Sequence, residues 1–257
     1  MAALIFDELT RAELRAVAPD ATVVVPIGST EQHGPHLPVG VDAAVITHLA
    51  RAAATVASAA VPVVVTPTLP FGFAHHHLPF GGTISISMRV YVDVLVDIAT
   101  SLAADGFRRI LFVNGHGGNA VPADAAVDRL AYEQSLDVHV AATSYWTAAA
   151  DVLAALDLDD APKPGHAGSF ETSLLLALRP ELVRTDALPA SEERLQPLAS
   201  QDVPGGTVRH PGVWQASDGR TDDSRLASAA VGERILAEIA EALSAFIVAF
   251  HKAGEGS

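Results

Sequence analysis

Short apolar runs alternate with longer helical patterns along this chain, and that alternation points to an α/β fold. Residues 22–27, 61–66, 110–113 and 138–143 read as strands. Residues 42–56, 88–105, 120–134, 147–158, 169–178 and 224–251 read as helices. Gly106 is a typical stop for the second of these, and Pro180 ends the fifth. Residues 181–220, rich in Pro, Gly and Asp, are the least regular part. The expected architecture is a single-domain layered α/β fold over residues 1–257, with a mostly parallel central sheet flanked by helices. No linker-like tract divides the chain, and no internal repeat is visible.

Composition narrows the function classes. With 49% hydrophobic residues in 257, the chain holds enough for one large core or two small ones. Its 30 acidic against 16 basic side chains give a net charge of −14, which argues against nucleic acid and anionic membranes as partners. Cysteine is absent, so any metal must be held by histidine and carboxylate. The first residues lack a basic n-region and a long apolar h-region, and no stretch has a membrane-spanning profile. The expectation is a soluble, cytoplasmic protein.

Three segments carry side chains suited to chemistry. Gly28 to Asp42 follows the first strand and supplies Glu31, His33, His36 and Asp42 among glycines and prolines. Hard oxygen and borderline nitrogen ligands of this kind suit a divalent metal. Glu31 and His33 share a face in extended backbone; Asp42 either joins them from the next helix start or simply caps that helix. Asn114-Gly115-His116-Gly117-Gly118-Asn119 follows the third strand. Its glycines let backbone approach a ligand closely, or merely make the turn. His166 and Glu171 lie five apart at the start of a helix, where Thr172 and Ser173 cap or pack. In open parallel sheets ligands gather at the carboxyl ends of strands, and all three segments lie there or at a helix start.

Taken together, the segments resemble the creatininase family of metal-dependent amidohydrolases. The resemblance runs through Glu31 to Pro38 with Asp42, Asn114 to Asn119, and His166-Ala167-Gly168 with Glu171-Thr172-Ser173. It extends to His76-His77 with Phe80-Gly81-Gly82-Thr83, and to Leu226-Ala227-Ser228-Ala229. It implies two divalent ions per chain, zinc or manganese with iron also admissible. Glu31, Asp42 and His116 would hold one; His33 and the bridging Asp42 would hold the other. Creatinine-hydrolysing members carry a glutamate ligand two residues after the motif histidine, where this chain has Gly118. Glu171 is the obvious replacement as a metal ligand. Members with the same Gly-Gly pattern include a mycofactocin-type peptidase and a formamidopyrimidine deformylase. The resemblance also places His76 and His77 over the site, with His76 and Trp146 as candidate substrate contacts. It implies a homo-oligomer, commonly a hexamer. The segment before His166 has no tryptophan, which counts against creatinine itself.

The implied reaction is hydrolysis of a C–N bond in a small-molecule or peptide amide. With no cysteine and no Gly-x-Ser-x-Gly elbow, a protein nucleophile is not expected. Glu171 or His166 would move the proton to the leaving nitrogen; if Glu171 ligates metal, His166 takes that role. Two other readings stand beside this one. One is a hydrolase or isomerase of a cyclic polyol or lactone, since the same metals would serve an enediolate. The other is a non-catalytic binding protein on the same scaffold, against which the intact ligand set argues.

Overall fold

The computed structural model describes residues 3–156, 164–189, 209 and 212–254. In chain order the elements are β1 (Leu4–Ile5), α1 (Arg11–Val17), β2 (Thr22–Ile27), α2 (Val41–Ala57), β3 (Val63–Val65) and α3 (Met88–Ala104). They continue with β4 (Arg109–Asn114), α4 (Ala120–Asp128), β5 (His139–Ser144), α5 (Tyr145–Ala148) and α6 (Ala150–Ala155). The last are α7 (Ser169–Leu178), α8 (Val213–Ala216) and α9 (Ala229–Ala253). The five strands form one parallel sheet in the order β1-β3-β2-β4-β5.

Alternating side chains send each strand into two cores. Val24, Leu111 and Val113 face a layer made by α2, α7 and α9, with Ile46, Leu49, Leu174, Ile239 and Leu243. Val23, Val25, Ile110 and Phe112 face the opposite layer, with Tyr91, Leu95, Ala99 and Leu130. Burial on both faces is why these strands read as continuous Val- and Ile-rich runs rather than as alternating patterns. Pro26 fits a central strand because β3 pairs with β2 only as far as Val24, so Pro26 lies beyond that ladder.

The expected elements appear, with shifted bounds. The helix expected over 120–134 is α-helical only to Asp128 and then widens into a π-turn, Arg129–Glu133. The stretch expected as one helix from 147 breaks at Ala149 into α5 and α6, and residues 157 and 158 lie outside the described part. The terminal helix begins later than expected. Residues Ser224–Leu226 form a separate 3₁₀ turn, and α9 starts after Ser228, whose hydroxyl accepts from Val231 N–H. Three elements were not foreseen: the two-residue edge strand β1; α1, closed by a capping box between Thr10 and Glu13; and the four-residue α8 within the stretch expected to be irregular.

Register sets the position of the site. Ile27 lies beside Asn114, and Asn114 beside Ser144. The segments after β2, β4 and β5 therefore leave the sheet at one edge. The α7–α9 contact brings the third motif to the same place. It is close enough that a Cβ on Gly232 would lie 1.9 Å from Ser173 O.

Candidate metal centre and its pocket

Glu31, His33, Asp42, His116, His166 and Glu171, distant in sequence, converge at that edge and are all buried. Two trios of ligand atoms are close enough to hold a cation each: Glu31, Asp42 and His116, and His33, Asp42 and Glu171. Asp42 belongs to both. His33 Nε2 lies 3.2 Å from Asp42 Oδ1 and 3.5 Å from Glu171 Oε2. His116 Nδ1 lies 3.2 Å from Glu31 Oε1 and 3.1 Å from Asp42 Oδ2. A third trio, Glu31, His33 and His166, is also within reach of one ion.

Main-chain carbonyls orient the imidazoles. His33 Nδ1 is 3.0 Å from Glu31 O, and His116 Nε2 is 3.1 Å from Phe73 O. A carbonyl only accepts, so each ring donates there and turns its other nitrogen toward the carboxylates, where it offers a lone pair to a cation once the ring is neutral. This is the usual outer support of a metal-binding histidine. Glu31 Oε1 and Asp42 Oδ2 are buried, face imidazole nitrogens at 3.1 to 3.4 Å and have no other hydrogen-bond partner among the described residues. Carboxylate oxygens buried in this way are costly, and a divalent cation at each trio would satisfy them. The residues present fit such ions.

The charges agree. Burial pushes the Glu31 carboxyl up, against the pull of His116. Burial likewise raises Glu171, opposed by His33. Burial works against a charge on His116, but Glu31 and Asp42 outweigh it and lift that imidazole to about 10. His33 is raised too, since Glu171 and Asp42 overcome its burial. In the metal-free protein, protons on these rings balance the carboxylates, and binding of a cation displaces them.

Gly118 is closed to a side chain. A Cβ there would lie 2.1 Å from Phe73 O and 2.5 Å from His116 Nε2. The Phe73 carbonyl thus occupies the space beside the position where the resemblance leads one to look for a glutamate ligand. Glu171 reaches His33 from the first turn of α7 instead. Its Oε2 accepts from Ala167 N–H at 2.6 Å. His166 is held neutral by burial and by the nearby His33. His36, by contrast, pairs through Nε2 with Thr172 Oγ1 at 2.9 Å and braces α7 from outside both ligand trios.

A cavity of about 820 Å³ opens onto the ligands. His76 and Trp146 both line it. His76 also stacks on His116 with centroids 5.7 Å apart, while the Trp146 ring meets Tyr145 edge-on. His77 was expected over the site; Trp214, Thr221 and Asp222 were not expected there. His77 is the buried member of the histidine triplet, with Nε2 3.4 Å from Glu31 Oε1. Trp214 on α8 lies edge-on to His77 and His166 at 4.7 and 5.3 Å. Thr221 bonds both main-chain groups of His166, and Asp222 accepts from Ser169 N–H at the start of α7. Only two signals were available for these: Trp214 is one of two tryptophans, and it falls in the irregular stretch 181–220. The acidic run Asp157, Asp159 and Asp160, expected as a solvated loop, lies outside the described residues.

Comparison with known proteins agrees with this geometry. The creatininase family model, described as creatinine amidohydrolase, matches residues 7–247. A mycofactocin precursor peptide peptidase of Mycolicibacterium smegmatis is 38% identical over 90% of this chain and 85% of its own length. The creatinine amidohydrolase of Pseudomonas putida is 32% identical over 68% of this chain and 70% of its own. A mutant creatininase structure of Zn-Zn type superimposes with a TM-score of 0.77 at 28% identity, covering 96% of this chain and 98% of that one. Sequence, sheet order and site geometry converge, and the chain belongs to the creatininase family of hydrolases.

Proposed function

We propose that this protein hydrolyses the C–N bond of a peptide-type amide, using two divalent ions held by Glu31, Asp42 and His116 and by His33, Asp42 and Glu171. The observation that carries the reading is the pair of ligand trios sharing Asp42, with two buried carboxylate oxygens whose partners among the described residues are imidazole nitrogens alone. When bound, such ions activate water and polarise the scissile carbonyl.

The remaining work falls to side chains. His166 donates from Nε2 to Gln32 O, 3.0 Å away, which leaves a lone pair on Nδ1. Nδ1 lies 3.7 Å from Glu31 Oε1 and 3.9 Å from Glu171 Oε2, inside the ligand cluster. A neutral imidazole there takes a proton from the attacking water at Nδ1 and passes it to the leaving nitrogen. Glu171 serves as ligand. Trp146, Trp214, Phe73, Met88 and Val121 give the cavity apolar walls. Its volume of about 820 Å³ is in the range of cavities for drug-sized ligands and supports a peptide substrate over creatinine, as does the relative named as a peptidase. We further propose that the chain works as a homo-oligomer.

The test is a turnover panel with the metal-loaded protein: short peptides and peptide amides, creatinine, and lactones. Peptide cleavage with little creatinine turnover is expected. Turnover of lactones alone would overturn the reading in favour of the cyclic polyol alternative.

A further inference from the structure

Gln32 stands between Glu31 and His33 in sequence, yet its amide reaches three other segments. Its Oε1 accepts from Gly34 N–H at 2.9 Å. Its Nε2 lies 2.8 Å from Gly219 O, 3.0 Å from His77 Nδ1 and 3.1 Å from His166 Nε2. The amide has one orientation, because only its oxygen faces a donor and only its NH₂ faces the Gly219 carbonyl. That NH₂ has two hydrogens for three neighbours. The Gly219 carbonyl only accepts and takes one. His166 Nε2 also lies 3.0 Å from the Gln32 main-chain carbonyl, so it carries its own hydrogen and donates there. The second amide hydrogen therefore goes to His77 Nδ1. His77 must then carry its hydrogen on Nε2, which is 3.4 Å from Glu31 Oε1.

We propose that Gln32 is a positioning residue that sets two tautomers, that of His77 through its side-chain amide and that of His166 through its main-chain carbonyl, so that one ring presents an N–H and the other a lone pair to the same carboxylate oxygen. The surroundings are built to the same end. The two rings stack 4.4 Å apart with planes 15° from parallel, and Trp214 packs edge-on to both. Gly219 has φ +68°, and a Cβ there would lie 2.6 Å from Gln32 Nε2. The carbonyl that anchors the amide can come this close only from glycine. Gln32, His77 and His166 are all buried, so water does not substitute for a missing partner. The hydrogen assignment stands on this geometry; only its consequence for turnover rests on the proton-transfer role given to His166 above.

Long-range ¹H–¹⁵N correlation spectra of histidine-labelled protein, metal-free and zinc-loaded, read the tautomers directly, with His77→Gln and His166→Gln spectra for assignment. Both rings are expected as Nε2–H in the wild type. Gln32→Glu removes both amide hydrogens and is expected to move the His77 proton to Nδ1, where the new carboxylate accepts it. It should keep two zinc ions and lower kcat by about 10- to 100-fold at unchanged KM, as loss of an outer partner does. Gly219→Ala, which displaces the amide from the other side, is expected to give the same spectral change. Nδ1–H on either ring in the wild type overturns the proposal, whether or not the variants fold. So does a Gln32→Glu protein with unchanged tautomers. The expected tautomers in a protein that cleaves no amide would support the role of Gln32 and overturn the functional reading instead.

Discussion

Every buried carboxylate of the cluster has an imidazole nitrogen within 3.5 Å: Glu31 and Asp42 share His116, and Asp42 and Glu171 share His33. Because Asp42 is common to both trios, Asp42→Ala is expected to lose both ions, read by elemental analysis of protein purified without chelator. Glu171→Gln should lower the occupancy of one ion and abolish turnover. His166→Ala should keep both ions and slow the reaction by about 10²–10⁴. The reverse pattern at these two residues would exchange their roles. A second residue-scale expectation concerns acid. His36 is buried and lies near Arg220 and His33, and together these hold its imidazole at about 4 against an ordinary 6.5. Between those values the unfolded chain binds a proton that the folded one does not. The stabilising contribution is therefore complete above pH 6.5 and is lost as the pH falls toward 4, by up to about 1.4 kcal/mol per pH unit. Urea titrations at several pH values should show a shallower slope for His36→Gln; an unchanged slope would refute this account.

At the scale of elements, the start of α7 is the part most exposed to failure. Its N-cap, Gly168, has no side chain, and the cap comes instead from Asp222, whose Oδ2 accepts from Ser169 N–H at 2.8 Å and from Ser169 Oγ at 3.0 Å. Gly168 must be glycine here, since a Cβ would lie 1.8 Å from Asp222 Oδ1. One residue earlier, Ala167 sits at φ +51°, a left-handed conformation that costs a non-glycine residue about 1 kcal/mol or more. Thr221 and Asp222 grip the chain on both sides of it. Asp222→Ala is expected to cost about 0.5–2 kcal/mol in chemical denaturation, the usual cost of a lost cap. Asp222→Asn should recover part of that, since its amide oxygen still accepts from Ser169 N–H. Equal losses in the two variants would mean that the carboxylate acts through charge rather than as a cap.

For the whole molecule, the assembly proposal has a structural correlate. Leu78, Ile84, Val39 and Val90 are exposed, and Gly82 brings the turn before Ile84 within 3.0 Å of Val39 Cγ1, measured from an added Cβ. Exposed apolar side chains of this kind are what the proposed assembly would cover. Light scattering is expected to report a multiple of 26.6 kDa; a monomer would rule the assembly out. Among the described residues no helix is long and apolar enough to cross a membrane.

Much of the fold was legible because its causes are local. Val-rich runs buried on both faces announce parallel strands, and the turns after Ile27 and Asn114 carry the glycines that a ligand-binding strand end requires. The candidate ligands Glu31, His33, Asp42 and His116 stood out for the same reason, as chemistry-bearing residues directly following such strands. Other features had no local cause. Which of His75, His76 and His77 enters the site depends on a 3₁₀ turn, His75–Phe80, whose burial is set by packing against segments far away in sequence. Trp214, Thr221 and Asp222 reach His166 and α7 only because α9 docks on α7 through Gly232 and returns that part of the chain to the sheet edge. The amide of Gln32, lying between two ligands in sequence, gives no local sign that its partners are His77, His166 and Gly219. Sequence determines the elements and the donor atoms they carry, because propensity and periodicity act over a few residues. Tertiary structure alone decides which donors share an oxygen and which nitrogen carries the proton, because these follow from contacts across 45 to 187 positions of the chain.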